Sequence, residues 1–341
     1  MKKIINRPEK FVDETLEGIV AAYPDQVQLS PENARVLLGK RPAPGRKVGI
    51  VTAGGSGHLP VFLGYVGTGM LDGCAVGNVF ASPSASAMAT MIRSVDKGAG
   101  VLCLYGNYGG DVMNLNLACE EVDFDDIRTK IVLVKDDVAS SPRETAEKRR
   151  GVAGMVLAFK AAGAAADKGL DLDAVAAAAQ KALDNTRTMG VALSSCTVPE
   201  VGHPTFSVGE DEIEIGMGIH GEPGIEVRPM MTADEIAELL LGKILEDMPV
   251  EKGEEVCVMV NGLGATPLEE QFIVYRRLHQ LLSERGISVY MPHIGEFATS
   301  MEMAGLSVTV MRLDAELKEL LAAPASTPFY TNYNKGGAYN G

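Results

Sequence analysis

No apolar run in this chain is long enough to cross a bilayer. The longest, Val152–Ala166, is interrupted by Lys160 and rich in alanine, short of the roughly 20 residues a spanning helix needs. The start, Met1-Lys-Lys-Ile-Ile-Asn-Arg, is basic but passes straight into Pro-Glu-Lys with no apolar segment, so no secretory leader and a cytoplasmic location are expected. Cysteine is scarce and scattered: five residues, at 74, 103, 119, 196 and 257, with no Cys-x-x-Cys. That excludes a disulfide framework and a zinc module, and the thiols read as reduced core residues. Positive charge is in deficit, 31 Lys and Arg against 45 Asp and Glu, for a formal charge of −14. This argues against nucleic acid and anionic membranes and fits a small molecule or a basic protein surface. The nucleotide-binding Gly-x4-Gly-Lys-Ser/Thr is missing: Gly39-Lys40 and Gly242-Lys243 lack its spacing. So are the protein-kinase signatures. If this chain takes part in phosphoryl transfer, its nucleotide sits on another chain.

What is present belongs to an ordinary globular protein, 46% hydrophobic and 22% charged. A length of 341 residues exceeds one core and predicts two α/β domains, with mainly parallel or mixed sheets flanked by helices. The first half repeats a unit of apolar run, glycine-rich turn and helix. Lys47–Val51 leads into Thr52-Ala-Gly-Gly-Ser-Gly-His58, Val101–Tyr105 into Gly106-Asn-Tyr-Gly-Gly-Asp111, and Lys130–Val134 into Lys135-Asp-Asp. Runs apolar on both faces predict strands of a covered sheet, and such sheets take ligands at their strands' carboxyl ends. His58 and Asp111 lie there.

Residues 147–186 predict two helices. Strands are expected at 190–193, 205–208, 212–220, 256–260, 289–292 and 307–311. Thr232-Ala-Asp-Glu235 is a capping box for a helix to Leu245, and further helices follow Pro267 and Leu313. The division is placed at 1–187 and 188–329. The tail 330–341, rich in Gly, Asn and Tyr, is expected to be mobile.

His220 ends the alternating run Glu212-Ile-Glu-Ile-Gly-Met-Gly-Ile-His220. Alternation puts it on the face of Gly216 and Gly218, over empty volume at a strand end. That is a ligand-facing imidazole or an ordinary edge-strand histidine. Gly54-Gly-Ser-Gly-His58 is a cradle for a ligand or a tight turn, and Asp111 a poised carboxylate or a helix cap. Asp136-Asp137 lacks a third acidic neighbour and reads as structural. Asn261-Gly-Leu-Gly-Ala-Thr is an anion cradle or a turn. His203, His279 and His293 have no partner in sequence.

Taken in order, seven segments resemble the substrate-binding K subunit of dihydroxyacetone kinases: Gly55-Ser-Gly-His58, Phe80-Ala-Ser-Pro83, Asn107-Tyr-Gly-Gly-Asp111, Arg149-Arg-Gly-Val-Ala153, Cys196-Thr-Val-Pro199, Gly218-Ile-His-Gly-Glu-Pro-Gly224 and Asn261-Gly-Leu-Gly-Ala-Thr-Pro267. The resemblance implies a homodimeric, two-domain ketose-binding subunit with no cofactor or metal of its own. ATP, or an ADP rephosphorylated by a phosphotransferase system, would sit with Mg²⁺ on a separate L subunit. By the match, His220 adds to the ketone as a hemiaminal, Asp111 is the base, and His58 is an acid/base partner. Gly55, Ser56, Gly57 and Gly106 line the pocket. Four positions depart from the family: Leu59 for Glu, Gly106 for Lys, Asn78 for an acidic residue, and Gly109 for Thr. If they lie on the pocket rim, a larger ketose such as erythrulose or a branched tetrulose or pentulose competes with dihydroxyacetone. A ketose-sensing coactivator that does not dock an L subunit is the reading from outside enzymes.

Overall fold

The computed structural model describes residues 2–40, 46–204 and 206–333. Its first sheet is built from β1 (Val27–Leu29), β2 (Val36–Gly39), β3 (Gly49–Ser56), β4 (Gly73–Val79), β5 (Val101–Gly106) and β6 (Thr129–Val134), in the order β1-β2-β4-β3-β5-β6. The four strands β4, β3, β5 and β6 are parallel, and β1 and β2 form an antiparallel edge. Helices α1 (Phe11–Ala22), α2 (Ala85–Val95), α3 (Gly109–Asp123), α4 (Met155–Asp167) and α5 (Leu172–Asp184) surround it. Alternate strand residues serve opposite faces. Ile50, Leu102 and Leu104 pack with α4 and α5, whereas Val51, Val101, Cys103 and Tyr105 pack with α2 and α3. Burial on both sides is why these strands are apolar throughout.

The second sheet is mixed. It comprises β7 (Thr186–Ala192), β8 (Glu212–Ile215), β9 (Glu226–Pro229), β10 (Glu255–Gly262), β11 (Ser288–Val289), β12 (His293–Gly295) and β13 (Gly305–Leu313). Strands β10 and β13 pair antiparallel at its centre, and β11 and β12 lie parallel beside β10. Helices α6 (Ala233–Asp247) and α7 (Leu268–Glu284) cover one face. The other face, with α8 (Ala315–Ala322), is continuous with the core under α4 and α5. One buried cluster therefore joins the two sheets back to back. The Thr232–Glu235 capping box opens α6 as read from sequence, and Asp314 caps α8. Among the described residues, no helix is long and apolar enough to cross a membrane.

Several elements differ from expectation. The strand expected to run to His220 stops at Ile215, because Gly216 takes φ +79° and turns the chain. His220 thus belongs to a loop. Of the strand expected at 205–208, residue 205 lies outside the described residues and 206–208 are irregular. The segment 143–148 is a short 3-10 turn, and α4 begins only at Met155. Strand β12 carried no alternation and went unforeseen. Of the tail expected to be mobile, Thr331–Asn332 pairs with Ala325–Ser326 and buries Tyr330, while 334–341 lie outside the described residues.

Candidate active site

The fold brings His58, Asp111 and His220 to one place. His58 follows β3, where Gly57 adopts φ +100° and the chain leaves the sheet. Its ring is 1% exposed. It stacks on Phe80 at 4.7 Å between centroids and meets the His220 ring edge-on, also at 4.7 Å. Nδ1 lies 2.8 Å from the Thr299 carbonyl oxygen. A carbonyl can only accept, so Nδ1 carries the proton and Nε2 the lone pair. That Nε2 is buried without a protein partner. Burial, then the neighbouring His220, pushes the imidazole down to about 3. His58 is therefore a neutral acceptor in the functional pH range.

Such a histidine makes stability pH-dependent. Below about 6.5 the unfolded chain binds a proton that the folded ring refuses, so stability falls as pH drops from 6.5 towards 4. His58→Asn should flatten that slope by about 1.4 kcal/mol per pH unit, measured by urea denaturation at several pH values. An unchanged slope would mean that this ring titrates freely.

His220 stands in an aromatic box. Besides His58, the Tyr108 ring lies edge-on at 4.7 Å and Phe80 at 5.5 Å. Tyr108 is fixed by its hydroxyl, which donates to the Gly151 carbonyl at 2.9 Å. The second anchor of His220 is Glu222. Nδ1 lies 3.0 Å from Oε1, and the His220 amide donates to Oε2, also at 3.0 Å. Burial pushes the Glu222 carboxyl up, but His220, its own loop amide and Arg150 outweigh that and hold it at about 2. A carboxylate accepting from Nδ1 fixes the tautomer and leaves the Nε2 lone pair free.

Asp111 lies in the first turn of α3 and does not cap it. Its Oδ1 is buried without a partner. Burial raises the carboxyl above its ordinary range, against the opposing Ser82 hydroxyl and His220 charge. A buried carboxylate near the His220 imidazole is equipped to take a proton.

The glycine-rich residues build the walls. Ser56 spends its hydroxyl on the Gly77 carbonyl at 2.9 Å. The carbonyls of Ser56 and Gly57 accept from the amides of Phe80 and Met301. A Cβ on Gly55 would sit 2.7 Å from the Ala81 nitrogen, so the Phe80 turn packs directly on this residue. At Gly106 a Cβ would lie 3.0 Å from the Tyr108 ring, so its bareness lets that ring close on His220.

Other candidates fall away. Asp136 accepts from the Val152 and Gly154 amides, and Asp137 pairs with Arg150. The Asn261 side chain spans Phe297, Ala298 and Ser307, so this segment is a structural turn and no anion cradle. His203 and His279 are exposed, and His293 stacks on Tyr330. No group of three or more His, Cys, Asp or Glu among the described residues is arranged to hold a metal ion.

Comparison with known proteins decides the family. The Dak1 domain model matches residues 17–329. The chain belongs to the Dak1 family. It is 47% identical over 330 residues to the dihydroxyacetone-binding subunit DhaK of PTS-dependent dihydroxyacetone kinase 2 from Listeria innocua, covering 97% of this chain and 99% of that one. It is 45% identical over 334 residues to the L-erythrulose kinase of Pectobacterium atrosepticum, covering 97% of this chain but 56% of that longer protein. Among solved structures, the dihydroxyacetone kinase of C. freundii superposes with a TM-score of 0.87 at 31% identity, over 97% of this chain and 60% of that one. The dihydroxyacetone kinase operon co-activator DhaQ superposes with 0.88 at 31%, over 94% and 98%.

Within this Dak1 chain, two of the four departures have side chains engaged elsewhere. Leu59 packs against the hydrophobic core, and Asn78 is exposed and accepts from Arg35 at 3.1 Å. Gly109 is exposed with open space beside it. Of the four, Gly106 touches the wall of the His220 box through Tyr108. Phe80, Tyr108 and Glu222 went unassigned in the sequence although they stand inside quoted motifs. Thr299, far along the chain, gave no signal at all.

Proposed function

We propose that this chain is the ketose-binding subunit of a dihydroxyacetone-kinase-type phosphotransferase, working with a separate nucleotide-carrying L subunit. The observation that carries the proposal is the Glu222–His220 pair set beside His58 and Asp111. In this reading Nε2 of His220 adds to the ketone carbon of the substrate. As the C–N bond forms, the carbonyl π pair moves to oxygen, which takes a proton from solvent to give the hemiaminal, leaving the ring as an N-substituted imidazolium. The charge developing on the ring is held by Nδ1–H against the Glu222 carboxylate. Glycerol offers no carbonyl, so the adduct excludes it. His58 accepts from a substrate hydroxyl through Nε2. Asp111 removes the proton of the terminal hydroxyl as that oxygen attacks the terminal phosphoryl group on the partner. The partner's ATP, or ADP recharged by a phosphotransferase system, and Mg²⁺ supply the phosphoryl group and its charge neutralisation. No step is assigned to a metal on this chain. A homodimer located in the cytoplasm belongs to the same proposal.

One observation favours a larger ketose as the second reading. Relatives at 42–45% identity are named erythrulose kinases. A branched tetrulose or pentulose belongs to the same second reading. The likeness to the DhaQ co-activator keeps a non-catalytic sensor as the contrasting class. The test mixes the chain with an L-type subunit and nucleotide and offers dihydroxyacetone, erythrulose and glycerol. Phosphorylation of a ketose but not of glycerol is expected. Adduct without turnover would favour the sensor, and no adduct would overturn the proposal.

A further inference from the structure

Glu222 orients His220, yet both residues sit on one glycine-rich loop. The two hydrogen bonds described from His220 to this carboxylate arise within that loop. A loop of this kind needs an external anchor to hold an attacking atom in place. Arg150, from the first half of the chain, reaches it with a charged fork. Its Nη2 donates to the Gly216 carbonyl at 3.1 Å, and Nη1 lies 3.8 Å from Glu222 Oε2. The same guanidinium grips Asp137 Oδ2 through Nε at 3.0 Å and Nη2 at 2.8 Å.

Both members of this pair are themselves held. Ala139 donates to Asp137 Oδ1, the Asp137 amide donates to the Arg150 carbonyl, and the Arg150 amide donates to Ser140 Oγ. The Asp137 side chain is 4% exposed and Arg150 13%. Next to Arg150, the Gly151 carbonyl holds Tyr108 and the Arg149 carbonyl holds Asn107. The segment 149–151 thus touches the His220 loop on one side and the wall of the aromatic box on the other. Gly218 makes the clasp fit. A Cβ there would lie 2.1 Å from Glu222 Oε2 and 2.4 Å from Arg150 Nη1.

We propose that Arg150, braced by Asp137, is a positioning residue that clasps the loop 216–222 and keeps Glu222 on the His220 imidazole. This rests on the proposed role of His220 as the ketone's anchor. A fork geometry is required, because one guanidinium must meet Asp137, Gly216 and Glu222 together; a lysine ammonium offers a single point. Asp111 lies on α3, outside the clasp. The clasp therefore acts on adduct formation and not on the later proton transfer.

The test compares Arg150→Met, Arg150→Lys and Asp137→Asn with the parent chain. The first readout is the long-range ¹H–¹⁵N spectrum of the His220 imidazole without any ketose. The parent should show the single Nδ1–H tautomer, and Arg150→Met a mixture. The second readout is the KM-against-kcat split with the L subunit. Arg150→Met should weaken ketose capture about 10- to 100-fold, the worth of a charge-assisted hydrogen bond, with kcat changed far less. Arg150→Lys should fall between. If Arg150→Met does not fold, the lysine and asparagine variants carry the same comparison. An unchanged tautomer with unchanged capture, or a loss confined to kcat, overturns the clasp. Because the tautomer is read without substrate, it stands apart from the proposed function, whose failure would show as no capture by the parent chain.

Discussion

Asp111→Asn is expected to lower phosphoryl transfer by about 10²- to 10⁴-fold, the range for losing a general base, while leaving ketose capture intact. The reason lies in where the carboxylate stands. Asp111 is rigidly placed in the first turn of α3, buried, with one oxygen lacking a partner. Burial lifts its carboxyl, which makes it a better proton acceptor than an exposed aspartate. An amide of the same shape fills the space but takes no proton. Steady-state rates with the L subunit, together with the adduct measured separately, give the two halves of the result. A variant that lost both would show that Asp111 shapes the pocket, and one that lost neither would remove it from the chemistry.

The second large effect is expected at Glu222. In Glu222→Gln the Nδ1–H still finds an oxygen, but the charge opposite the developing imidazolium is gone, and the amide can turn its NH₂ towards the ring. A donor facing Nδ1 favours the Nε2–H tautomer, which has no lone pair where the ketone must be attacked. Loss of such a carboxylate partner costs up to about 10⁴-fold in hydrolytic triads, and a loss of ~10²- to 10⁴-fold in adduct formation is expected here. Capture rates followed by stopped-flow mixing with ketose measure it. Glu222→Asp should recover part of the loss only if the shorter carboxylate still reaches Nδ1. Capture by Glu222→Gln at the parent rate would show that the tautomer is set elsewhere.

The sequence displayed the parts whose physics is local. Apolar runs such as Val101–Tyr105 announced covered strands, and Thr232 with Glu235 announced a helix start. His58, Asp111 and His220 were legible as chemistry at chain turns. The union of His58 and Asp111 with His220 was legible only through the family resemblance, because it depends on two sheets sharing one core through α4, α5 and α8. The strand expected to reach His220 failed at Gly216, whose positive φ overrides an alternation that continues for four more residues. Thr299 sets the His58 tautomer through a backbone carbonyl, and no side-chain pattern announces a carbonyl. Leu59 and Asn78 have neighbours in sequence that line the site, while their own side chains face the core and solvent.

In the proposed function His220 holds a ketone through a covalent bond from Nε2. The direct measurement is ¹³C NMR of dihydroxyacetone labelled at its carbonyl carbon, bound to protein with ¹⁵N-labelled histidine. The bound carbon should leave the ketone range for that of a saturated carbon bearing two heteroatoms and show a one-bond coupling to nitrogen. Both features should persist in Asp111→Asn and vanish in His220→Ala. A bound ketose that keeps its ketone signal, or a saturated carbon without coupling to nitrogen, would contradict it.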